Sequence, residues 1–223
     1  INIGGIFTDK NRLTIQKIRV IAKDHHVVRV DKEDSQYISK DIEKKLLDFI
    51  ISRIKRWDGI VVSDYAKGVI TENLGKNLVS LSIEYKKPII CDIKPKNAPF
   101  FKNATLLSPN HKESLEIAGV SDINEAGKII QKQLNCSVLL TRGAEGVTLF
   151  ENKKIKHFPA MAREVFDVSG AGDTVVAAAT LALAAGANLE QASIIANHAA
   201  GIAVGKLGTA TVNIEELKKS IAI

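Results

Sequence analysis

From Ser39 to Phe158 the chain alternates two hydrophobic periodicities, and that alternation sharply limits the folds open to it. Ser39 can cap a helix, and Ile42, Leu46, Leu47, Phe49, Ile50 and Ile54 follow at helical spacing. Gly59-Ile60-Val61-Val62-Ser63 is then a short buried strand. A helix opens at Thr71-Glu72 with Leu74, Leu78, Leu81 and Ile83 on one face, and Pro88–Asp92 is the next strand. Ala104–Leu107 reads as another strand, followed by helices from about Lys112 and Ile123. Ser137–Thr141 and Gly146–Phe150 are strands joined by a glycine-containing turn, and Lys153–Phe158 continues the β pattern. Short apolar strands taking turns with helices imply a mostly parallel sheet covered on both faces, an α/β fold in three layers.

Two flanking regions depart from this rhythm. Leu13–Ile21 and Val27–Asp31 alternate and are β-branched, with Lys23-Asp24-His25-His26 between them, so residues 13–31 are expected to form a small hairpin. The C-terminal third is expected to be mostly helical. No low-complexity linker or internal repeat interrupts residues 1–223, which read as one domain.

In an open parallel sheet, ligands sit outside the C-terminal ends of the strands. Asp64, Asp92, Asn110 and Thr141 each close or follow a strand, and so does the loop Asp167-Val168-Ser169-Gly170-Ala171-Gly172-Asp173-Thr174. That loop has two glycines and two aspartates just before a long Ala-rich run, so it reads as a tight turn into a helix N-terminus. Glycines free the backbone to point successive N–H groups into one concavity, and the positive end of the helix dipole favours an anion there. A carboxylate at such a mouth works against simple anion binding. Asp173 makes sense as a base that accepts the proton of a hydroxyl attacking a phosphate.

Composition excludes several other classes. The longest apolar run, Val175 to Ala187, is broken by Thr180 and Gly186 and is too short to span a bilayer, so no membrane partner is expected. The net charge of +6 is spread along helix faces and aromatics make up 5%, so no nucleic-acid partner is expected; attraction of phosphorylated small molecules accounts for the charge. Cys91 and Cys136 are far apart in apolar strands, which suits buried reduced thiols. With no signal-peptide pattern at the start, the expected location is cytoplasmic. The five histidines have no metal-ligand spacing. Among phosphate motifs, Gly201–Leu207 has the wrong spacing for a Walker A loop, and Gly170–Val175 lacks the third small residue of a dinucleotide fingerprint.

The Asp167–Thr174 segment closely resembles the second signature of the ribokinase/PfkB family of carbohydrate kinases. Ser108-Pro109-Asn110-His111-Lys112-Glu113 is similar to that family's Asn-x-x-Glu motif, and Thr141–Gly146 to its nucleotide-side turn. Asn197–Gly201 and Gly208-Thr209-Ala210 are similar to its C-terminal nucleotide region. Within the family, several segments resemble the heptose 7-phosphate kinase domain of bifunctional ADP-heptose synthases: Lys17–Ala22, Arg29-Val30-Asp31, Ser63–Gly68, Asp92-Ile93-Lys94-Pro95 and Val204–Thr211. The family's opening strand and Gly-Gly motif have no counterpart, since Gly4-Gly5 directly precedes the hairpin. The domain is therefore expected to be N-terminally incomplete, with part of the sugar pocket lacking.

The resemblance implies a ribokinase-like fold with the hairpin as a lid, and Mg-ATP-dependent phosphorylation of a sugar phosphate at its anomeric hydroxyl. It makes Asp173 the catalytic base, with Gly170, Ala171 and Gly172 donating backbone N–H groups to the transferring phosphate. It makes Asn110 and Glu113 hold magnesium, mostly through water, although Asn followed three residues on by Glu is also a capping-box spacing. Thr141, Gly143, Gly146 and Asn197 would line ATP. Asp167 would order the loop, near a monovalent cation. Arg29, Asp31, Asp64, Lys67 and Lys94 would meet the sugar phosphate, and the hairpin could pair two subunits as a homodimer. Two alternatives stay open: a family kinase of another sugar or nucleoside, and a non-catalytic module that binds nucleotide or sugar phosphate.

Overall fold

A computed structural model of the chain describes residues 2–22, 25–162 and 164–222. The expected hairpin forms, from β1 (Gln16–Ala22) and β2 (His25–Lys32), as a two-stranded sheet of its own. Its turn is tighter than expected, because His25 and His26 pair with Ala22 and Ile21. The remaining turn residues, Lys23 and Asp24, lie outside the described residues. Cross-strand partners share a face, so Ile18, Val20, Val28 and Val30 form one apolar stripe, and all four are half-exposed.

The main sheet takes β3 (Ile60–Ser63), β4 (Ile89–Asp92), β5 (Leu106–Leu107), β6 (Ser137–Thr141), β7 (Val147–Glu151) and β8 (Lys154–Phe158) in sequence order. β3 to β6 pair in parallel; β7 and β8 return antiparallel. β5 is shorter than its apolar run because the Thr105 hydroxyl accepts the N–H of Ile89 instead of extending the ladder. Pro95–Phe101 winds into a 3-10 turn that no pattern in the sequence announces.

The helices are α1 (Lys40–Arg53), α2 (Glu72–Glu84), α3 (His111–Ala118), α4 (Ile123–Leu134), α5 (Ala171–Ala184), α6 (Leu189–Val204) and α7 (Ile214–Ile221). Ser39, Thr71, Asn110, Asp122, Asn188 and Asn213 each cap a helix with their own side chain. The strands then sort their residues onto two cores. Ile89, Cys91, Leu107, Val138, Leu140 and Phe150 face a layer that includes Leu74 and Leu78 of α2 and Ile123 and Ile130 of α4. Ile90, Leu106, Leu139, Val147 and Leu149 face Val175, Val176 and Ala179 of α5 and Ala196 of α6. Three layers result, as the alternation predicts. Cys91 and Cys136 are both free and buried, and burial pushes the Cys136 thiol up to about 12.

Candidate functional site

Every parallel strand delivers a polar group at its C-terminal end. The backbone continues the sheet one step further there: Asp64 N–H donates to Asp92 O (2.8 Å), Ser108 N–H to Cys91 O (2.9 Å) and Thr141 N–H to Pro109 O (3.0 Å). These bonds bring Asp64, Asp92, Ser108, Asn110 and Thr141 to one edge. Asp64 is buried, accepting from the Asn97 side-chain amide (2.7 Å) and from Ala66 N–H (2.9 Å). Asn110 and Glu113 form the full capping box: Asn110 Oδ1 takes Glu113 N–H (2.9 Å), and Glu113 Oε2 takes Asn110 N–H (3.0 Å). The other oxygen of Glu113 takes the Lys94 ammonium.

Four carboxylates and one ammonium share this edge, and Asp92 and Lys94 respond to it. Asp92 is pushed up to about 6, by burial first and by Glu113 next, with Asp173 and Asp64 adding to the rise and Lys94 opposing it. Burial alone would lower Lys94, but its bond to Glu113 and the fields of Glu113 and Asp92 hold it above its ordinary value. Asp92 therefore registers Asp173 on the approaching helix. Sequence reasoning places Asp92 after a strand but assigns it no role; its position closing Ile89-Ile90-Cys91 in parallel with Asp64 is the available signal.

Helix α5 lies on β3 and β4 and enters this edge by its N-terminus. It is the one described α-helix that no side chain caps: its N-cap, Gly170, is left-handed at φ 81° and ψ 2°. Thr174 N–H and hydroxyl both turn back to Gly170 O, at 2.9 Å each. Any β-carbon at Gly170 would stand 3.0 Å from the Thr209 methyl, so the C-terminal Gly208-Thr209 segment roofs the loop. Nothing crowds Gly172 within 4 Å, and Asp173 is exposed. Of the expected phosphate donors, Ala171 N–H is turned back to Val168 O (3.3 Å), because the turn before the helix closes on it, while the N–H groups of Gly172 and Asp173 are left open with a carboxylate beside them. Asp167 N–H donates to Val204 O, and its carboxylate accepts Ser169 N–H (2.8 Å), so it orders the turn before the helix. The N–H and hydroxyl of Ser169 hold it below the usual carboxylate range.

The turn after β6 is closed by Arg142 N–H to Gly146 O (2.8 Å) and Gly146 N–H to Gly143 O (3.1 Å). Thr141 sits at its start, beside Asn110. Several sequence-selected residues lie apart from this edge or are already engaged. Asn197 is buried and spends its amide on Pro159 O (2.7 Å), tying α6 to the chain after β8. Arg29 and Asp31 pair with each other on the hairpin (3.0 Å). Lys67 binds Glu33, just beyond the hairpin, and Lys17 binds the same carboxylate (2.7 Å), which together with Lys67 pushes Glu33 down to about 2. Arg12 and Glu33, which no motif singles out, fix the hairpin to the sheet: the Arg12 guanidinium donates to Asp34 O (3.0 Å) and Lys67 O (2.6 Å).

Among the described residues no group of three His, Cys, Asp or Glu side chains is placed to hold a metal. The acidic edge, with Asn110 and Glu113 engaged in their box, instead fits a hydrated divalent cation carried in on phosphate oxygens.

The profile of the pfkB family carbohydrate kinases matches residues 8–216. The chain belongs to this family. Its relatives include the bifunctional protein HldE of Helicobacter pylori strain HPAG1, 37% identical over 97% of this chain and 48% of that protein. HldE of Geobacter metallireducens is 38% identical over 97% of this chain and 46% of that protein. The chain thus spans about half the length of these curated relatives. Among solved structures, Escherichia coli phosphofructokinase-2 in complex with potassium superposes with a TM-score of 0.73 at 22% identity, over 83% of this chain and 63% of that one. Arabidopsis thaliana ribokinase complexed with ribose and ATP gives 0.68 at 20%, over 88% and 66%. Both likenesses are of fold: a ribokinase-like domain of the PfkB family.

Proposed function

We propose that this chain carries the phosphoryl-transfer machinery of a Mg-ATP-dependent kinase acting on D-glycero-D-manno-heptose 7-phosphate at its anomeric hydroxyl, toward ADP-heptose and lipopolysaccharide core precursors. The observation that carries the reading is the uncapped start of α5, with Asp173 exposed beside the open N–H groups of Gly172 and Asp173 at the acidic edge of the sheet. A base adjoining a phosphate cradle is what an attacking hydroxyl requires. Asp173 takes the hydroxyl proton, and the open N–H groups of Gly172 and Asp173 stabilise the charge spreading over the transferring phosphoryl oxygens. Asn110 and Glu113 would hold magnesium through water, and the ion would supply neutralisation of the phosphate charge.

Thr141, Gly143 and Gly146 are assigned to ATP, and Asn197 to the adenine side through the wall it braces. Asp64, Lys67 and Lys94 are assigned to the sugar phosphate, with Arg29 and Asp31 reaching it from the hairpin. Asp167 supports a monovalent cation next to its turn. The heptose assignment rests on the resembling segments named above and on HldE relatives that match 97% of the chain. Among the described residues no helix is long and apolar enough to cross a membrane, which together with two buried thiols supports a cytoplasmic enzyme. The half-exposed stripe Ile18, Val20, Val28 and Val30 supports a homodimer through the hairpin.

The deciding experiment is ADP release over a panel of sugar phosphates, with wild type and Asp173→Asn compared. The variant is expected to lose at least about a hundredfold in turnover, the scale of a lost general base, with ATP affinity by calorimetry little changed. Near-normal turnover in Asp173→Asn would sink the assignment. ATP binding by wild type without turnover on any sugar phosphate would favour the non-catalytic alternative.

A further inference from the structure

At the opposite pole of the sheet, below the N-terminal ends of β5 and β6, lies a depression of about 580 Å³. Helix α4, the start of β6, the turn between β7 and β8, and Ala104-Thr105 before β5 build it. Lys128, Gln131 and Lys132 are one stripe of α4, at i, i+3 and i+4. Ser137 opens β6, and Asn152-Lys153 is the two-residue turn between β7 and β8. Among the described residues no carboxylate lines the depression. Among the described residues, none of these six side chains has a hydrogen-bond or ion-pair partner, whereas on α1 and α2 Lys44 pairs with Asp48, Lys45 with Asp41 and Lys76 with Glu72.

Three positive charges around one concavity repel unless something neutralises them. The C-terminal dipole of α4 explains Lys132, in its last turn, but not Lys128 or Lys153. Lys153 is also conformationally costly. The turn holds Asn152 at φ 47° and Lys153 at φ 66°, and the second position of such a turn ordinarily takes glycine. A lysine kept there at the expense of backbone comfort is consistent with a need for its ammonium. The volume suits a small molecule, and the absence of lining aromatics argues against stacked nucleic-acid bases.

We propose that this depression is a second anion site, for a phosphorylated small metabolite. Lys128, Lys132 and Lys153 take the phosphate oxygens, and Gln131, Ser137 and Asn152 meet neighbouring hydroxyls or bridging oxygens. It is separate from the α5 cradle and independent of the kinase reading.

Inorganic pyrophosphate in magnesium-free buffer is the probe, titrated calorimetrically into the full chain carrying Gly172→Asp. That substitution sets a carboxylate in the α5 cradle, where a β-carbon meets nothing within 4 Å. The blocked protein should keep one saturable pyrophosphate site that weakens with added salt. Adding Lys128→Gln, Lys132→Gln and Lys153→Gln should reduce its affinity at least about tenfold, as expected for lost charge-assisted bonds. In wild type, pyrophosphate should shield these three lysines from acetylation while Lys76 stays reactive, a readout that holds even if the blocked variant misfolds. No saturable site in the folded blocked protein, affinity unmoved by the lysine changes, or shielding no greater than at Lys76 overturns the proposal.

Discussion

Asp92 gives the acidic edge its most direct test, because its cost appears in stability and needs no substrate. A carboxyl raised from about 3.9 unfolded to about 6 folded binds its proton more tightly in the native state. The folded protein then gains stability as pH falls from 6 towards 4, and at pH 8 it carries the full cost of a buried, crowded carboxylate. A rise of this size is worth at most about 3 kcal/mol. Asp92 is only partly buried, so solvent screening reduces this to about 1 kcal/mol. Asp92→Asn removes the charge and keeps the shape. It should raise Tm at pH 8 by about 2–4 °C, the scale for a chain of this size, and the gain should shrink as pH falls through about 6 and vanish only below the unfolded value of about 3.9. Differential scanning calorimetry of both proteins from about pH 3 to about pH 8.5 measures the difference curve directly. A difference that does not vary with pH, or a variant less stable at pH 8, refutes the argument that Asp64, Glu113 and Asp173 crowd Asp92.

Two further perturbations address other parts of the fold. Asn110→Ala removes the capping box of α3 and should cost about 1 kcal/mol, or about 2–4 °C in Tm, whereas Asn110→Asp keeps an acceptor at the cap and should recover most of it; equal melting of the two variants would show that the box contributes nothing. Val28→Lys places a charge in the apolar stripe of the hairpin, opposite Val20. It should convert a wild-type dimer to monomer in sedimentation velocity, and a wild type that sediments as a monomer at tens of micromolar, on the order of ordinary weak self-association, rules out the hairpin dimer.

The elements most legible in the sequence are those whose signals are local. Ser39 and Thr71 open α1 and α2 because a cap and an apolar stripe coincide within one turn. The inner strands β4 to β7 follow their apolar runs, because the doubly covered part of the sheet buries both faces, whereas the edge strands β3 and β8 are exposed at alternate positions and almost throughout, respectively, so Gly59–Ser63 is only half buried. The 3-10 turn at Pro95–Phe101 is not legible, since it depends on Phe101 being drawn into the core and on Asn97 reaching Asp64. The strand-end rule alone draws Asp64, Asp92, Asn110, Thr141 and the Gly170–Asp173 loop to one edge. What that rule cannot give is partnership. Asn110 and Glu113 are legible both as a box and as a cation site, and only three dimensions add Lys94 to Glu113. Asn197 stands out by resemblance, yet its amide goes to Pro159, a residue whose approach no local pattern announces. Glu33 gathers lysines from positions 17 and 67, a pairing invisible to any window along the chain.

The junction between the hairpin and the sheet constrains anyone who would re-engineer this scaffold. Gly68 lies so close under the chain leaving the hairpin that a β-carbon would come within 1.8 Å of Gln36 O, and its own carbonyl accepts Ile38 N–H at 2.9 Å. No side chain can be installed there without prying the two segments apart. Arg12 completes the joint by binding carbonyls on both sides of it. A hairpin transplanted into this scaffold must therefore be spliced between Arg12 and Glu33, leaving Arg12, Glu33, Asp34, Gln36 and Gly68 in place, so that only the two strands are open to exchange.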